Sequence, residues 1–236
     1  MALILVTGAS TGLGLATAQD LSDQGHDVVV HARTSTRVPS GDWRGAVAAD
    51  LSDLDATRAL ALEVDAFGHF DAVVHNAGAL QPPDAARVNT IAPYVLTMLM
   101  RPPRRLVYLS SSMHRGGTTD LRGLTDGTAS YSDSKLWVTA FALSLADRWP
   151  DTAVHAVDPG WVPTRMGGPS ASDDLEQGHL TQVRLATQDA AGPRTGGYWH
   201  HLTTQRPAPA AADPAFQEAL LAALAEVTRV PVREHP

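Results

Sequence analysis

The sequence predicts a single α/β domain, a doubly wound parallel sheet flanked by helices. Apolar runs of strand length alternate with segments of helical pattern along the 236 residues, and this alternation favours right-handed crossovers between parallel strands. A glycine-rich turn also follows the first apolar run directly. No internal repeat and no second compositional block interrupts the pattern, so residues 1–236 are predicted to form one domain.

The individual elements follow from the apolar runs and from the turn residues between them. The predicted strands are Ala2–Thr7, Asp27–His31, Ala46–Ala49, Phe70–His75, Leu106–Ser112, a sixth before Pro159, and a last strand at Gly196–His201. One predicted helix ends near Gln24, and another runs from a cap at Ser52 or Asp53 to about Ala66. A further helix extends from Tyr131 towards Pro150, and the last covers about residues 213–227 after a Pro/Ala linker.

Polar residues mark the carboxyl ends of the predicted strands. Arg33, Asp50 and Asn76 each follow an apolar run, and the turn Gly8–Gly14 follows the first one. Open parallel sheets bind ligands beyond these strand ends, so the four positions are predicted to converge at one edge. The glycines let the backbone approach a ligand closely, and the following helix offers free N–H groups to a phosphate. The alternative is a plain glycine-rich turn.

Tyr131 and Lys135 form a candidate catalytic pair. Lys135 is the only lysine, because the other seventeen basic residues are arginine. Positions i and i+4 share one helix face, so both side chains can point at one site. A nearby ammonium is expected to lower the pKa of the phenol and make it a usable general acid/base. The alternative is a Tyr/Lys pair on an exposed helix face.

Composition excludes several function classes. Apolar residues make up 44% and charged residues 18%, and the net charge is −7 without a basic run, which disfavours binding to nucleic acid or anionic membrane. Cysteine is absent, which excludes disulfides and thiolate metal sites and favours the cytoplasm. No apolar run approaches the length of a membrane span. His200 and His201 would point to opposite faces of a strand, so no metal site is predicted.

Taken together, these motifs resemble the short-chain dehydrogenase/reductase family over Ala2 to about Thr164. The family's glycine motif appears as Thr7-Gly8-Ala9-Ser10-Thr11-Gly12-Leu13-Gly14, and its Asn-Asn-Ala-Gly as His75-Asn76-Ala77-Gly78, with the first asparagine replaced. Asn89, Ser111, Tyr131 and Lys135 match the catalytic tetrad, and Pro159–Thr164 matches the Pro-Gly-x-x-x-Thr loop. The resemblance implies a Rossmann-type fold that binds a nicotinamide dinucleotide.

The resemblance also implies a role for each matching residue. Tyr131 would donate the proton to the substrate oxygen, Lys135 would lower its pKa and hold the nicotinamide ribose, and Ser111 would donate a hydrogen bond to the developing oxyanion. Asn89 would hold a water that connects Lys135 to solvent. The residues expected at the cofactor are Gly8, Ser10, Thr11, Gly12, Leu13, Gly14, Arg33, Asp50, Leu51, Asn76, Ala77, Gly78, Tyr131, Lys135, Pro159, Gly160, Val162 and Thr164.

The end of the second strand predicts which dinucleotide is used. NAD-specific relatives carry a carboxylate there, which binds the adenosine ribose and repels a 2′-phosphate. Here the matching residue is Ala32, and Arg33 follows. An arginine can pair with that phosphate, with Ser10 or Thr11 as a hydroxyl partner and Arg37 as a second cation. The sequence therefore predicts NADP(H), unless Arg33 is only a solvated strand-end residue.

Two loops depart from the usual family pattern. Only ten residues separate Gly78 from Asn89, so the helix after the fourth strand is expected to be lost or reduced to a turn around Pro82-Pro83. Nineteen residues separate Ser111 from Tyr131, a longer loop that resembles the branch containing retinol dehydrogenases. It is predicted to form one wall of the substrate site. His114 within it is either a substrate contact or, as is commoner for a loop histidine, solvated.

The predicted function is reversible hydride transfer between NADP(H) and a small carbonyl or alcohol substrate. Met113, Trp161 and Met166 near the cleft indicate a hydrophobic substrate, and a polar segment at 165–182 is expected to be a mobile lid. Relatives often pair through the helices that carry the asparagine and the tyrosine, so a homodimer is expected. The alternative function is a dinucleotide-binding regulatory protein of the same fold without turnover.

Overall fold

A computed structural model of the chain describes residues 1–189 and 192–234. Within them, eight strands form one sheet: β1 (Leu3–Val6), β2 (Asp27–Ala32), β3 (Gly45–Ala48), β4 (Ala72–His75), β5 (Arg105–Leu109), β6 (Ala153–Asp158), β7 (Gly197–His200) and β8 (Thr203–Gln205). Their order across the sheet is β3-β2-β1-β4-β5-β6-β7-β8. The first seven run parallel, which confirms the predicted doubly wound sheet, and only the unpredicted edge strand β8 is antiparallel.

Helices cover both faces of the sheet. They are α1 (Gly12–Asp23), α2 (Leu54–Val64), α3 (Asp84–Ala86), α4 (Ala92–Leu99), α5 (Gly123–Asp126), α6 (Tyr131–Arg148), α7 (Leu175–Thr187) and α8 (Pro214–Thr228). Val29 packs into the core shared with α2, α4 and α6, whereas Val28 and Val30 pack into the core shared with α1 and α7. Successive side chains of a strand point to opposite faces, so a strand buried on both faces must be continuously apolar.

The segment between β4 and α4 is short, and it sets the position of Asn89. Residues 81–83 form a turn at Pro82-Pro83, as the spacing predicted, and helix α3 begins only at Asp84. A π-helical turn at Arg87–Ile91 then joins α3 to α4 and carries Asn89. Such turns are short insertions in α-helices and are frequent at functional sites.

The predicted lid is only partly a loop. Residues 165–174 lack regular structure, but α7 takes up the rest of the 165–182 segment and packs on α1. Asp174 caps the helix, because its Oδ1 accepts hydrogen bonds from the backbone N–H groups of Glu176 and Gln177 at 2.7 and 3.1 Å. The buried face of α7 includes Thr181 and Gln182. Polar residues on this face hid the helical period in the sequence.

The last two strands also differ from the prediction. His201 and Leu202 form the turn between β7 and β8, both with positive φ (44° and 64°), so His201 lies beyond the strand. The rings of His200 and His201 therefore stack with centroids 3.8 Å apart instead of pointing to opposite faces. Across residues 1–189 and 192–234, no group of three or more potential ligands is placed to hold a metal ion.

The C-terminal part of the chain covers helices α4 and α6. Leu220 and Leu224 of α8 are fully buried in the same core as Tyr94 and Phe141. The Tyr94 hydroxyl donates to the backbone carbonyl of Val230 at 2.7 Å. The C-terminal segment therefore covers part of the surface of these two helices, and the expected homodimer stays a prediction.

None of the helices that the structure describes is both long and apolar enough to cross a membrane.

The packing of α8 generates a stability prediction. Leu220→Ala removes a fully buried side chain and should lower the free energy of unfolding by about 2–5 kcal/mol, since the contacts are lost and a cavity remains. Leu62→Ala, on a side chain that is 71% exposed, is the matched control and should change it by less than about 0.5 kcal/mol. Urea denaturation measures both. Equal losses would show that α8 does not belong to the cooperative core.

Candidate active site

An open cleft of about 500 Å³ lies beyond the carboxyl ends of β1 to β4. Most of the residues predicted at the cofactor line it: Gly8, Ser10, Thr11, Gly12, Leu13, Gly14, Arg33, Asp50, Leu51, Asn76, Ala77, Gly78 and Thr164. Tyr131, Lys135, Pro159, Gly160 and Val162 do not line this cleft, and Lys135 and Val162 are buried. The strand ends therefore converge as the parallel sheet requires.

The glycine turn between β1 and α1 is held by Asn76. Its Nδ2 donates to the carbonyl groups of Thr7 and Gly8 at 3.0 and 3.3 Å. These two hydrogen bonds stabilise the conformation of the turn. A Cβ atom at Gly14 would lie 2.3 Å from this Nδ2, and Gly8 has φ +67°. Both positions therefore require glycine.

His31 is a residue of this region that the sequence analysis missed. Its Nδ1 accepts a hydrogen bond from the Gly8 N–H at 3.1 Å. The other ring nitrogen, Nε2, must then carry the proton, and it donates to the Ala49 carbonyl at 3.0 Å. Burial lowers the pKa of His31, although the Ala49 carbonyl and Asp50 oppose the shift. The neutral ring thus connects the glycine turn to the ends of β2 and β3. A histidine within an apolar strand was the only signal in the sequence.

Two arginines lie at the cleft near the end of β2. Arg33 and Arg37 line the cleft, and both are exposed. Neither guanidinium has a carboxylate within salt-bridge distance among the residues that the structure describes. The Ser52 backbone N–H lowers the pKa of Asp50, and the charge of Arg33 contributes to this shift. Two arginines without acidic partners provide a site for an anion.

Tyr131 and Lys135 lie on the first turns of α6. Ser130 and Asp133 form a capping box that fixes the start of this helix. The Lys135 Nζ is 5.5 Å from the centroid of the Tyr131 ring. It is buried and donates to the Leu109 carbonyl at 2.6 Å. The two side chains therefore share one site, as their spacing predicted, beside the end of β5.

The predicted lowering of the Tyr131 pKa is wrong for this structure. Burial raises the pKa of the phenol above its usual value, while the neighbouring Ser111 side chain lowers it and Asp158 raises it further. Burial also lowers the pKa of Lys135 to about 8. Loss of solvation penalises phenolate and ammonium alike. The sequence showed the cation but not how deeply both groups are enclosed.

Asn89 holds the active site together through its side chain. Its Oδ1 accepts from the Ala79 N–H at 2.8 Å, and its Nδ2 donates to the Ala79 carbonyl and to the Ser134 Oγ at 2.9 and 2.8 Å. Ser134 in turn donates to the Tyr131 carbonyl at 2.7 Å. Both atoms of the amide group therefore help to join the loop after β4 to α6, and the expected water at Asn89 stays a prediction.

His114 is neither solvated nor a substrate contact. It is fully buried, and its Nε2 accepts from the Ala208 N–H at 2.8 Å. Its Nδ1 must then carry the proton, which it donates to the Ser111 carbonyl at 2.7 Å. Burial accordingly lowers the pKa of this ring. His114 thus anchors the loop after Ser111 to the segment before α8.

Exposed apolar side chains surround this part of the molecule. Met113 and Trp161 are each 54% exposed, and Met166, which lines the cleft, is 40% exposed. Trp161 is held in place because its backbone N–H donates to the Asp173 Oδ2 at 2.7 Å and its indole N–H donates to the Gly167 carbonyl at 2.9 Å. The apolar residues predicted near the cleft are therefore accessible.

Comparison with known proteins agrees with this geometry. A family model described as "short chain dehydrogenase" matches residues 2–92. The chain is 34% identical to the short-chain dehydrogenase chyC of Penicillium rubens, over 98% of each chain. It belongs to the short-chain dehydrogenase/reductase family. This confirms the resemblance, and the family implies an oxidoreductase that binds a nicotinamide cofactor.

One further relative and one solved structure are also similar to the chain. It is 30% identical to mouse retinol dehydrogenase 13 over 70% of this chain and 59% of that protein, which supports the predicted branch. A short-chain dehydrogenase structure from Shigella flexneri, solved with NADP, superposes with a TM-score of 0.71 at 23% identity, over 86% of this chain and 97% of that chain. This second likeness confirms the fold.

The role of His31 generates a binding prediction. His31→Ala leaves the Gly8 N–H without its acceptor and should raise the dissociation constant for NADPH about tenfold, the effect of about 1.4 kcal/mol. His26→Ala is the matched control, because that ring accepts from the Ala2 N–H at the opposite end of β2. Titration by nucleotide fluorescence compares the two. Equal affinities in both variants would show that the glycine turn does not need His31.

Proposed function

We propose that this protein is an NADP(H)-dependent carbonyl reductase or alcohol dehydrogenase acting on a small, hydrophobic ketone, aldehyde or secondary alcohol. The observation that carries the proposal is that Tyr131 and Lys135, at the N-terminus of α6, lie together with Ser111 beside the carboxyl end of β5. A phenol, an ammonium and a hydroxyl at one site suit proton transfer to a carbonyl oxygen. Membership of the oxidoreductase family supports the same reaction class.

The residues around the cleft fit a nicotinamide dinucleotide. The glycine turn opens onto the N-terminus of α1, where free N–H groups suit a pyrophosphate. When bound, the cofactor supplies or accepts the hydride. Tyr131 donates the proton to the substrate oxygen during reduction, and the Ser111 hydroxyl stabilises the charge that develops there. Lys135 keeps positive charge beside the phenol, and Asn89 fixes α6 relative to the loop after β4.

Replacement of the proposed proton donor tests the reaction. Tyr131→Phe keeps the ring but removes the hydroxyl, and should lower kcat by about 10² or more, the usual contribution of general acid catalysis. The NADPH dissociation constant should stay close to that of the parent protein. The assay follows NADPH oxidation with a panel of ketones, aldehydes and quinones.

A parent protein that binds NADPH but turns over no member of the panel would favour the regulatory alternative. A Tyr131→Phe variant that retained more than about a tenth of the parent kcat would exclude the tyrosine as the proton donor.

The preference for NADP(H) rests on the charge at the end of β2. Ala32 stands where a carboxylate would repel a 2′-phosphate, and Arg33 and Arg37 are exposed at the cleft of a chain whose net charge is −7. A charge-assisted hydrogen bond contributes about 1.5–3 kcal/mol. We therefore expect NADPH to bind roughly 10–100-fold more tightly than NADH.

A paired substitution tests this preference. Ala32→Asp with Arg33→Ser should reverse it, since it adds a repelling carboxylate and removes the cation. Arg44→Ser is the control: Arg44 is exposed just before β3 but does not line the cleft. Fluorescence titrations with both nucleotides at fixed ionic strength measure the preference. Equal affinities in the parent, or no change in the double variant, would contradict the role of Arg33.

The apolar surroundings support a hydrophobic substrate. Met113, Trp161 and Met166 are all exposed, and Met166 lines the cleft. Burying apolar surface on binding is favourable at about 25 cal/mol per Å². We retain the cytoplasmic location as a prediction from the absence of cysteine.

A further inference from the structure

A buried carboxylate lies at the end of β6, outside every motif used so far. Asp158 is the last residue of this strand and is 5% exposed. Side chains alternate along a strand, so Asp158 faces the same side as Ala156, which packs in the core shared with α6. This carboxylate therefore points towards the helix that carries Tyr131 and Lys135.

The carboxylate is held mainly by neutral groups. The Tyr198 hydroxyl donates to Oδ2 at 3.2 Å, and the Gly160 N–H donates to Oδ1 at 3.0 Å. The nearest ionisable nitrogen is the His200 Nδ1, 3.8 Å from Oδ2. In the described ranges 1–189 and 192–234, no arginine or lysine comes within salt-bridge distance. A buried charge without a close cation acts strongly on the ionisable groups around it.

The register of the sheet puts this charge beside the catalytic pair. Leu109 of β5 is paired with Val157 of β6. The Lys135 Nζ donates to the Leu109 carbonyl, and the Ser110 backbone N–H donates to the Val157 carbonyl at 2.7 Å. Asp158 is one residue beyond this pair, so the ammonium and the carboxylate occupy the ends of two adjacent strands.

The charge of Asp158 favours the protonated form of both catalytic groups. Burial raises the pKa of Tyr131, and Asp158 raises it further. Burial lowers the pKa of Lys135 to about 8, and Asp158 opposes this loss of the proton. A negative charge stabilises a nearby cation and destabilises a nearby phenolate. Both effects favour the state in which Tyr131 and Lys135 keep their protons.

We propose that Asp158 is a further functional residue, which acts through Tyr131 and Lys135 by its charge and biases the site towards proton donation, the direction of carbonyl reduction. The kinetic consequence rests on the proposed function, whereas the electrostatic effect does not. Asp158 holds the phenol in the form that can give a proton to a substrate oxygen. It also helps a deeply buried lysine to remain a cation.

Other ionisable groups also face this cluster. Tyr198 and His200 on β7 contact Asp158 directly, and His114 and Arg115 after β5 lie within electrostatic range of Tyr198 or Asp158. His114 is buried and neutral, and Arg115 is exposed and bonds to the Arg206 carbonyl. Neither residue therefore replaces Lys135 as the cation nearest to the phenol.

The cofactor-free protein allows a direct test, because it has only four tyrosines. Burial raises the pKa of Tyr94 to about 12 and those of Tyr108 and Tyr198 higher still. Tyr131 is therefore expected to be the first phenol to ionise in an ultraviolet titration, and Tyr131→Phe should remove that step. Asp158→Asn, which keeps the size but not the charge, should move the first step to lower pH. The phenolate fraction at a fixed pH below that step should rise about tenfold.

Two control variants distinguish the effect of the Asp158 charge from a structural effect of this side chain. Asp147→Asn removes an exposed carboxylate near the far end of α6 and should leave the first step unmoved. Tyr198→Phe breaks the hydrogen bond to Asp158 but keeps the charge, so it should not move the step to lower pH. If Tyr198→Phe reproduces the shift seen with Asp158→Asn, the role of Asp158 is structural and the proposal fails.

The single lysine gives a second measurement. Isotope-labelled lysine yields one side-chain resonance, that of Lys135, and Asp158→Asn should move its titration to lower pH. Asp158→Ser, whose hydroxyl can still accept from the Gly160 N–H, serves if the asparagine variant does not fold. Unchanged tyrosine and lysine titrations in a folded variant would overturn the proposal. Because no substrate is involved, this outcome is distinct from a failure of the proposed catalytic activity.

Discussion

The buried ammonium of Lys135 is the constraint on which the rest of the active site depends. A cation removed from water must be compensated by hydrogen bonds and opposite charge, or it loses its proton. The Leu109 carbonyl accepts a hydrogen bond from the Lys135 Nζ, and this bond fixes α6 against the end of β5. Thr139, one turn along the helix, bonds to the Lys135 carbonyl and to Ser110, which strengthens the same junction. Polar groups are concentrated here because one charge had to be accommodated inside an apolar core.

Much of the architecture could be predicted because it depends on local patterns. Continuous apolar runs indicated strands buried on both faces, and their alternation with helices indicated a parallel sheet. Parallel strands end at one edge, so Arg33, Asp50 and Asn76 could be placed together before their contacts were known. The i, i+4 spacing likewise brought Tyr131 and Lys135 to one face of α6.

The remainder depends on contacts between residues that are distant in the sequence. The Asn89 side chain forms hydrogen bonds with Ala79 and Ser134, and no spacing of residues in the sequence predicts these contacts. The proton affinity of Tyr131 depends on how completely its neighbours exclude water, and this is a property of the assembled fold. His31 was missed because one polar residue in an apolar strand is compatible with many roles. The placement of these side chains was thus easier to predict than their electrostatics.

The position of α8 has a consequence for synthesis of the chain. Tyr94 bonds to the carbonyl of Val230, 136 residues later, and the faces of α4 and α6 are covered by side chains such as Leu220 and Leu224. A nascent chain that already contains the glycine turn and both catalytic side chains still exposes this apolar helix surface. Contacts between residues so far apart in the sequence slow folding, and transiently exposed apolar surface promotes aggregation. Until α8 has been synthesised, the apolar surfaces of α4 and α6 therefore stay exposed to such association.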